Sequence, residues 1–376
     1  MASKDIGAKK ILNKAILIYY PSNKPSNVIE TIAKGFIENG HQVFLLTQTS
    51  KGDLHRIFEK LGVYTDSYLI SKKTSLIYYL RHLIYLISFC RKHNITSVQS
   101  HLQQSNIIAV FAQYFIKSRV VIYRHHLIEL NKISRYFDRI INTLAKRIVV
   151  PSEVIRDKMI KDEHVYSEKI KLIPYVYDFS QYPNPSQENI ISIRNNYKCK
   201  LLILICGRFV SLKRNDLVFY ALKKLIDQSY DIKLMALDEG PGMEKLKEYV
   251  KENHLDNKVD FLGYRKNVMD YIAACDVLVN PSYAEASNNS VKEAGSHSKN
   301  VIVCSHVGDF SEYIIHKKNG YLVNRDNPLA EIIDCLKIIY NDDSRHLIGQ
   351  ELKKTIYQKF HKSEIIIQTH LQLLFD

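Results

Sequence analysis

Asn280-Pro281-Ser282-Tyr283-Ala284-Glu285-Ala286-Ser287-Asn288-Asn289-Ser290-Val291-Lys292-Glu293-Ala294 lies between two apolar runs, Val277-Leu278-Val279 and Val301-Ile302-Val303. A strand ends at a loop that carries the carboxylate Glu285. A helix then opens on small polar residues and holds a second carboxylate, Glu293, before the next strand begins. Strand, loop, helix start and strand in this order are how an α/β protein builds a site for an anionic, polyhydroxylated ligand at strand carboxyl ends.

The same alternation extends outward in both directions. Ala15–Tyr20, His41–Thr47, Ser97–Gln99, Val120–Tyr123 and Arg147–Val150 read as strands with helices between them. Asn27 is expected to cap the first helix, with Glu30 closing a capping box. The proline-bearing segment from Tyr182 to about Ile190 reads as a linker. The pattern then restarts with Leu201–Ile205, Ile232–Ala236, Val259–Leu262, Val277–Val279 and Val301–Cys304. Continuous apolar strands alternating with helices predict parallel sheets covered on both faces. With 376 residues, two doubly wound Rossmann-like domains facing a central cleft are expected. The first covers residues 1–182 and the second 190–350, with a C-terminal helix at 351–376 returning to the first.

The six cysteines are scattered without a Cys-x-x-Cys pair, which argues against a disulfide framework or a zinc site and for a cytoplasmic protein. Met1–Lys14 lacks the apolar core of a secretory signal. Leu76–Cys90 is too short to span a bilayer and contains Arg81 and His82, so it is read as an amphipathic helix packed on a sheet, with interfacial contact as the lesser option. Residues 1–180 hold 27 Lys and Arg against 14 Asp and Glu, most of the chain's net +14. A basic half of this kind suits an anionic membrane surface or a phosphate-bearing acceptor. No nucleic-acid signature accompanies the charge, so no nucleic-acid partner is expected.

Gly207-Arg208-Phe209-Val210-Ser211-Leu212-Lys213 follows a buried strand. Gly207 lets the chain turn, and Arg208 and Lys213 supply two cations that suit a diphosphate. Backbone N–H groups at Asn288, Asn289 and Ser290 attract phosphate oxygens. Glu293, one turn on, would repel a phosphate and so suits a ribose diol, and Glu285 suits a sugar's polar face. The turn Leu237-Asp238-Glu239-Gly240-Pro241-Gly242 reads equally well as a plain connection. Neither a Gly-x-Gly-x-x-Gly nor a P-loop pattern occurs, which disfavours nicotinamide enzymes and P-loop ATPases.

These elements, with Phe261-Leu262-Gly263, Gly308, Glu312, Asn319–Val323 and Ile173-Pro174-Tyr175-Val176-Tyr177-Asp178, resemble retaining glycosyltransferases of the GT-B fold, family 4. The resemblance implies a nucleotide-diphosphate sugar donor, UDP- or GDP-linked, with no cofactor and no metal, and a glycan or lipid-linked saccharide acceptor in cell-envelope polysaccharide or lipopolysaccharide synthesis. It also implies peripheral work at the inner face of the cell membrane. It implies that Arg208 and Lys213 hold the diphosphate, Glu285 the donor sugar, Asn288–Ser290 the phosphates and Glu293 the ribose. The main chain at Gly263 and Tyr264 would face the base, and His125 would contact the sugar, with its neighbour His126 as alternative and His101 as a structural imidazole. A nucleotide-sugar 2-epimerase and a non-catalytic nucleotide-sugar-binding scaffold are the rival readings. The first strand–helix loop, Pro21–Asn27, lacks the family's paired glycines, and Lys24 is expected to supply charge there instead.

Overall fold

The structure is a computed structural model that describes residues 14–70, 76–127, 132–342 and 344–376. The amino-terminal stretch read for a leader lies almost wholly outside them. The strands β1 (Ala15–Tyr20), β2 (Gln42–Thr47), β3 (Tyr64–Ser67), β4 (Ser97–His101), β5 (Arg119–Tyr123), β6 (Ile148–Val150) and β7 (Ile170–Leu172) form one sheet, in the order 3-2-1-4-5-6-7. The strands β8 (Leu201–Cys206), β9 (Ile232–Leu237), β10 (Val259–Gly263), β11 (Val277–Asn280), β12 (Asn300–Cys304) and β13 (Tyr321–Val323) form a second, in the order 10-9-8-11-12-13. Every pairing within both sheets is parallel; Ile16, for example, sits opposite Val43 on one side and Ser97 on the other.

The architecture is the expected pair of doubly wound parallel sheets. The central strands are sealed on both faces: all of Leu201–Ile205 and Val277–Val279 are essentially inaccessible to water. Edge strands were the ones the sequence concealed. β3, β7 and β13 are three or four residues long, too few positions for a periodic signal, and the first two also carry polar residues, Asp66 and Lys171. Two boundaries also move. The helix Asn27–Glu38 is capped by Ser26, whose N–H donates to Glu30 Oε1 at 2.7 Å, one residue earlier than the capping-box reading placed it. The segment read as a linker ends sooner, because Ser186 Oγ accepts from the Asn189 N–H and starts the helix Gln187–Tyr197.

The chain crosses between the sheets twice, and the two crossings lie side by side. Tyr177 N–H donates to Phe360 O at 2.9 Å, and Lys362 N–H donates to Tyr177 O at 2.8 Å. Asp178 accepts from its own loop and pairs with Lys362 at 3.3 Å, while its backbone N–H donates to Asn27 Oδ1 at 3.0 Å. The helix Arg345–Phe360 packs on the second sheet, and the helix Glu364–Phe375 returns to the first. There Ser97 Oγ donates to Leu374 O at 2.7 Å, and Tyr123 Oη meets His370 Nδ1 at 2.8 Å. Ile367 fills the space over Gly35, where an added Cβ would lie 2.6 Å from its Cδ1.

The helix Leu76–Lys92 packs Tyr78, His82, Leu86 and Phe89 inward, but its outer face is also apolar. Among the described residues no helix is long and apolar enough to cross a membrane.

Leu374 is fully buried at the far end of the returning helix. Leu374→Ala is expected to cost about 2–5 kcal/mol through lost burial and a residual cavity. Urea unfolding followed by far-UV circular dichroism checks this.

Candidate active site

In both sheets the strand order reverses at one place, between β1 and β4 and between β8 and β11. Loops leaving neighbouring strands there diverge to opposite faces and leave a crevice. The two crevices open into one cleft of about 480 Å³. Tyr20, Ser26, Leu102, His125 and Tyr175 line it from the first half, and the loops after β8, β9 and β11 line it from the second.

The loop after β8 turns at Gly207, whose φ of 150° is a conformation that side chains disfavour. Arg208 is exposed on this loop, and its guanidinium has no partner among the described residues. Arg214, at the loop's end, takes the left-handed conformation. It donates to Pro281 O at 2.9 Å and Arg325 O at 2.7 Å, which ties this loop to the one after β11. The turn at Gly240 is more than a connection. Gly242 N–H donates to Phe209 O at 2.9 Å, and a Cβ on Gly240 would lie 2.6 Å from that same oxygen. The turn therefore braces the loop that carries Arg208, and Asp238, just before it, reaches the cleft.

Glu285 Oε1 accepts from Lys213 Nζ, from Ser282 Oγ at 2.8 Å and from Asn288 Nδ2 at 3.0 Å. Its Oε2 has no partner among the described residues, so one face of the carboxylate is committed and the other is available. Asn288 caps the helix Asn289–Ser296 through Oδ1, which accepts from the Val291 N–H at 3.0 Å. The N–H groups of Asn289 and Ser290 find no acceptor among the described residues and sit at the positive end of the helix dipole. Glu293 is crowded by neighbouring side chains, and this burial pushes its carboxyl up to about 7, against the smaller opposing effects of the Tyr182 hydroxyl and Lys292.

Beneath this helix start lies an ion pair that the sequence did not announce. Lys292 and Asp309 are 0% and 2% exposed and meet at 2.7 Å. Lys292 Nζ also donates to Ser287 Oγ at 2.9 Å and lies over the rings of Tyr313 and Phe360 at 5.0 and 5.1 Å. Burial lowers the lysine's pKa, while Asp309 works in the opposite direction. The pair pins the loop 285–288 from below, because Ser287 Oγ donates to Asp309 Oδ2 at 2.7 Å. The one sequence signal was a lysine next to Val291 and two positions before Ala294, in a helix that has to be packed on that side.

In the first half His125 lines the cleft, but neither of its ring nitrogens is free. Nε2 meets His101 Nδ1 at 2.8 Å, and Nδ1 meets Tyr175 Oη at 2.6 Å. Burial pushes the His125 imidazole down to about 3 and holds His101 well below its usual value, so both rings are neutral. His101 Nε2 is buried without a partner among the described residues. A buried N–H without an acceptor is the costlier orphan, so the favoured assignment leaves that nitrogen unprotonated. His101 then donates to His125, His125 donates to Tyr175 Oη, and the tyrosine O–H is left free to donate into the cleft. Tyr175 was legible only as part of a motif; its place as the cleft-lining end of this chain needed the fold.

Of the residues singled out in sequence, Arg208, Lys213, Glu285, His125, Gly207, Asn288, Asn289, Ser290 and Glu293 all line the one cleft. Gly263 and Tyr264 do not. Gly263 O accepts from the Asp238 N–H at 2.9 Å, which puts Asp238 on the cleft side, and Tyr264 is 72% exposed. His126 turns away to Asp138, with Nε2 2.7 Å from Oδ2. Lys24 is exposed and outside the cleft lining. Among the described residues no group of three His, Cys, Asp or Glu side chains is placed to hold a metal ion.

Residues 26–181 match the family described as Glycosyltransferase Family 4, and residues 186–355 match Glycosyl transferases group 1. The chain is 21% identical over 361 residues to N-acetyl-alpha-D-glucosaminyl L-malate synthase of Bacillus anthracis, covering 93% of each chain. It is 24% identical over 285 residues to the N-acetylgalactosamine-N,N'-diacetylbacillosaminyl-diphospho-undecaprenol 4-alpha-N-acetylgalactosaminyltransferase of Campylobacter jejuni, covering 73% of this chain and 75% of the other. The crystal structure of Anabaena Alr3699/HepE in complex with UDP-glucose superimposes with a TM-score of 0.80 at 17% identity, covering 96% and 99% of the two chains. That solved structure shows the shared fold.

Removing one partner of the buried pair strands a charge, so Lys292→Met and Asp309→Ala are each expected to cost about 3–5 kcal/mol. The double variant Lys292→Met, Asp309→Ala recovers most of that loss. Chemical denaturation of the three variants measures the coupling.

Proposed function

The chain belongs to the family 4 glycosyltransferases, and from that premise we propose that it transfers a sugar, with retention at the anomeric carbon, from a nucleotide-diphosphate sugar to a glycan or lipid-linked acceptor of the cell envelope. The observation that carries the reading is the convergence in one cleft of the cationic 207–213 loop, the free amides of Asn289 and Ser290, and the two glutamates. Arg208, Lys213 and the two amides grip the diphosphate. Glu293 accepts hydrogen bonds from the ribose hydroxyls, and the base extends past Asp238 toward Gly263 and Tyr264. Glu285 Oε2 receives the sugar hydroxyls. Tyr175, oriented by His125, donates to the sugar from the other side.

The acceptor hydroxyl attacks the anomeric carbon on the face from which the diphosphate departs. The bond from that carbon to the phosphate oxygen breaks, and the hydroxyl proton passes to the departing oxygen. Lys213 and Arg208 stabilise the charge that develops there, which is where positioned cations have most effect. Because these cations meet the diphosphate directly, turnover is expected to persist in EDTA without restoration by manganese. The lipid-linked acceptor is supported by the name of the Campylobacter relative, and the nucleotide donor by the UDP-glucose held in the Anabaena structure.

A thermal-shift screen with UDP, GDP and their sugars identifies the donor, since a ligand of the native state raises Tm. With that donor, Lys213→Ala and Glu285→Ala are expected to lower kcat by about a hundredfold or more while Tm stays within a few degrees. Unchanged turnover would instead support a binding scaffold. Tyr175→Phe is expected to lower kcat about tenfold or more, with His125→Gln close behind because it acts through the same hydroxyl.

Glu293 adds a pH dependence whose sign follows from its raised carboxyl. Ribose hydroxyls donate to the ionised form, so binding favours loss of its proton. Affinity for the nucleotide sugar is therefore full above pH 7 and is expected to fall by up to about tenfold per unit below it. Glu293→Gln binds more weakly and flattens the profile, which titration calorimetry across pH 5.5–8.5 detects. A flat profile in the unmodified protein would contradict the assignment.

A further inference from the structure

The helix Leu76–Lys92 is apolar on both sides. Its inner face is buried against the first sheet, but Leu76, Ile77, Leu80 and Ile84 are each more than half exposed. Ile77, Leu80 and Ile84 recur at three- and four-residue spacing and form one outward stripe, with Arg81 beside them. The helix Lys132–Leu144 repeats the pattern: Ile133 and Tyr136 are 67% and 63% exposed, between the exposed cations Lys132, Arg135 and Arg139. The two helices belong to one surface. Tyr79 of the first meets Phe137 of the second with ring centroids 5.6 Å apart, and Gln104 and Gln103 of the helix between them donate to Tyr78 Oη and Ser134 O. Six of the 21 exposed large apolar side chains of the described residues lie on these two helices. Scattered exposed apolar residues need no explanation, but a contiguous group does.

The exposed charge of these two helices has one sign. The helix Leu76–Lys92 contains no Asp or Glu. The single acid of the helix Lys132–Leu144, Asp138, is buried and paired with His126 and Arg124. Aliphatic side chains flanked by cations, on two helices that expose no carboxylate among the described residues, match the boundary between lipid headgroups and acyl chains; the exposed Asp162 lies off these helices, across the groove that Lys132, Arg135 and Arg139 line. The patch is also placed at a defined edge. Both helices follow strands of a parallel sheet, β3 and β5, so their first turns lie at the strand carboxyl ends, the edge on which the cleft opens. Leu76, Ile77, Leu80, Ile133 and Tyr136 all lie in those first two turns.

We propose that this face, made by the first turns of the helices Leu76–Lys92 and Lys132–Leu144, docks the protein on an anionic bilayer with the cleft's edge facing the membrane. The aliphatic side chains enter the headgroup boundary and the cations meet lipid phosphates. The docking holds whatever donor the cleft takes.

The chain contains no tryptophan, which makes a direct readout available. Leu80→Trp in the full chain is expected to show a blue-shifted, brightened emission on vesicles of phosphatidylcholine with phosphatidylglycerol. A control probe on the other half, Leu347→Trp, should not respond. Cosedimentation with those vesicles, and not with phosphatidylcholine alone, is expected, weakening with salt. Arg135→Glu with Arg139→Glu should reduce it by about fivefold or more per cation removed, and Ile77→Asp with Leu80→Asp should abolish it. Unchanged Tm and nucleotide-induced thermal shift in these variants show that the fold and cleft are intact. A Leu80→Trp probe that stays silent on anionic vesicles overturns the proposal. So does equal binding to neutral vesicles, or a probe that responds only to protein concentration, which would assign the face to a second copy of the chain.

Discussion

A parallel sheet has to be buried on both faces, so the one place it offers a ligand is the edge where strands end. That constraint organises this protein. Apolar strands such as Leu201–Ile205 leave no solvent-facing side on which to mount chemistry, and the polar residues are displaced into loops at the carboxyl ends. Two such sheets set against one cleft bring the loops after β1, β4 and β5 to the loops after β8, β9 and β11. The paired crossings at Tyr177 and Lys362 hold the two halves in that relation, and the returning helix Glu364–Phe375 ties the end of the chain into the first core.

The cleft's two sides are built by different physics. On the second sheet, charge is concentrated and balanced: Lys213 against Glu285 within the cleft, and Lys292 against Asp309 beneath it. The buried pair gains little by itself, since desolvation offsets most of the Coulomb attraction. Its consequence is geometric, because it fixes Ser287 and Asn288 and so the direction in which the first amides of the helix point. On the first sheet the groups are neutral. His101, His125 and Tyr175 form a hydrogen-bonded chain whose charge is suppressed by burial, and it presents a hydroxyl instead of an imidazole. The anionic leaving group and neutral sugar of the proposed donor call for these two different environments.

The outward face of the helix Leu76–Lys92 places the cleft in a wider setting. Its inner residues satisfy the core, and its outer residues leave apolar surface in water at a cost the fold alone does not explain. Under the proposed docking, having that surface at the edge where the cleft opens couples membrane binding to access by an acceptor embedded in the bilayer.

The sequence by itself determined the class of fold and singled out residues that line the second half of the cleft. Continuous apolar strands can be satisfied only by parallel sheets buried on both faces, and Gly207, Arg208, Lys213, Glu285, Asn288 and Glu293 are local features, each read from its distance to a strand end or a helix start. Only the tertiary structure decided what those residues face. The short edge strands β3, β7 and β13 carry too few residues for a periodic pattern. The partnership of Lys292 with Asp309 spans 17 positions, and that of His125 with Tyr175 spans 50, so neither leaves a mark in local spacing. Whether a histidine offers its nitrogen or spends it on a neighbour, and whether an apolar helix face is covered or bare, depends on which elements pack together. That is a property of the folded chain, because burial and hydrogen-bond satisfaction are set by neighbours distant in sequence.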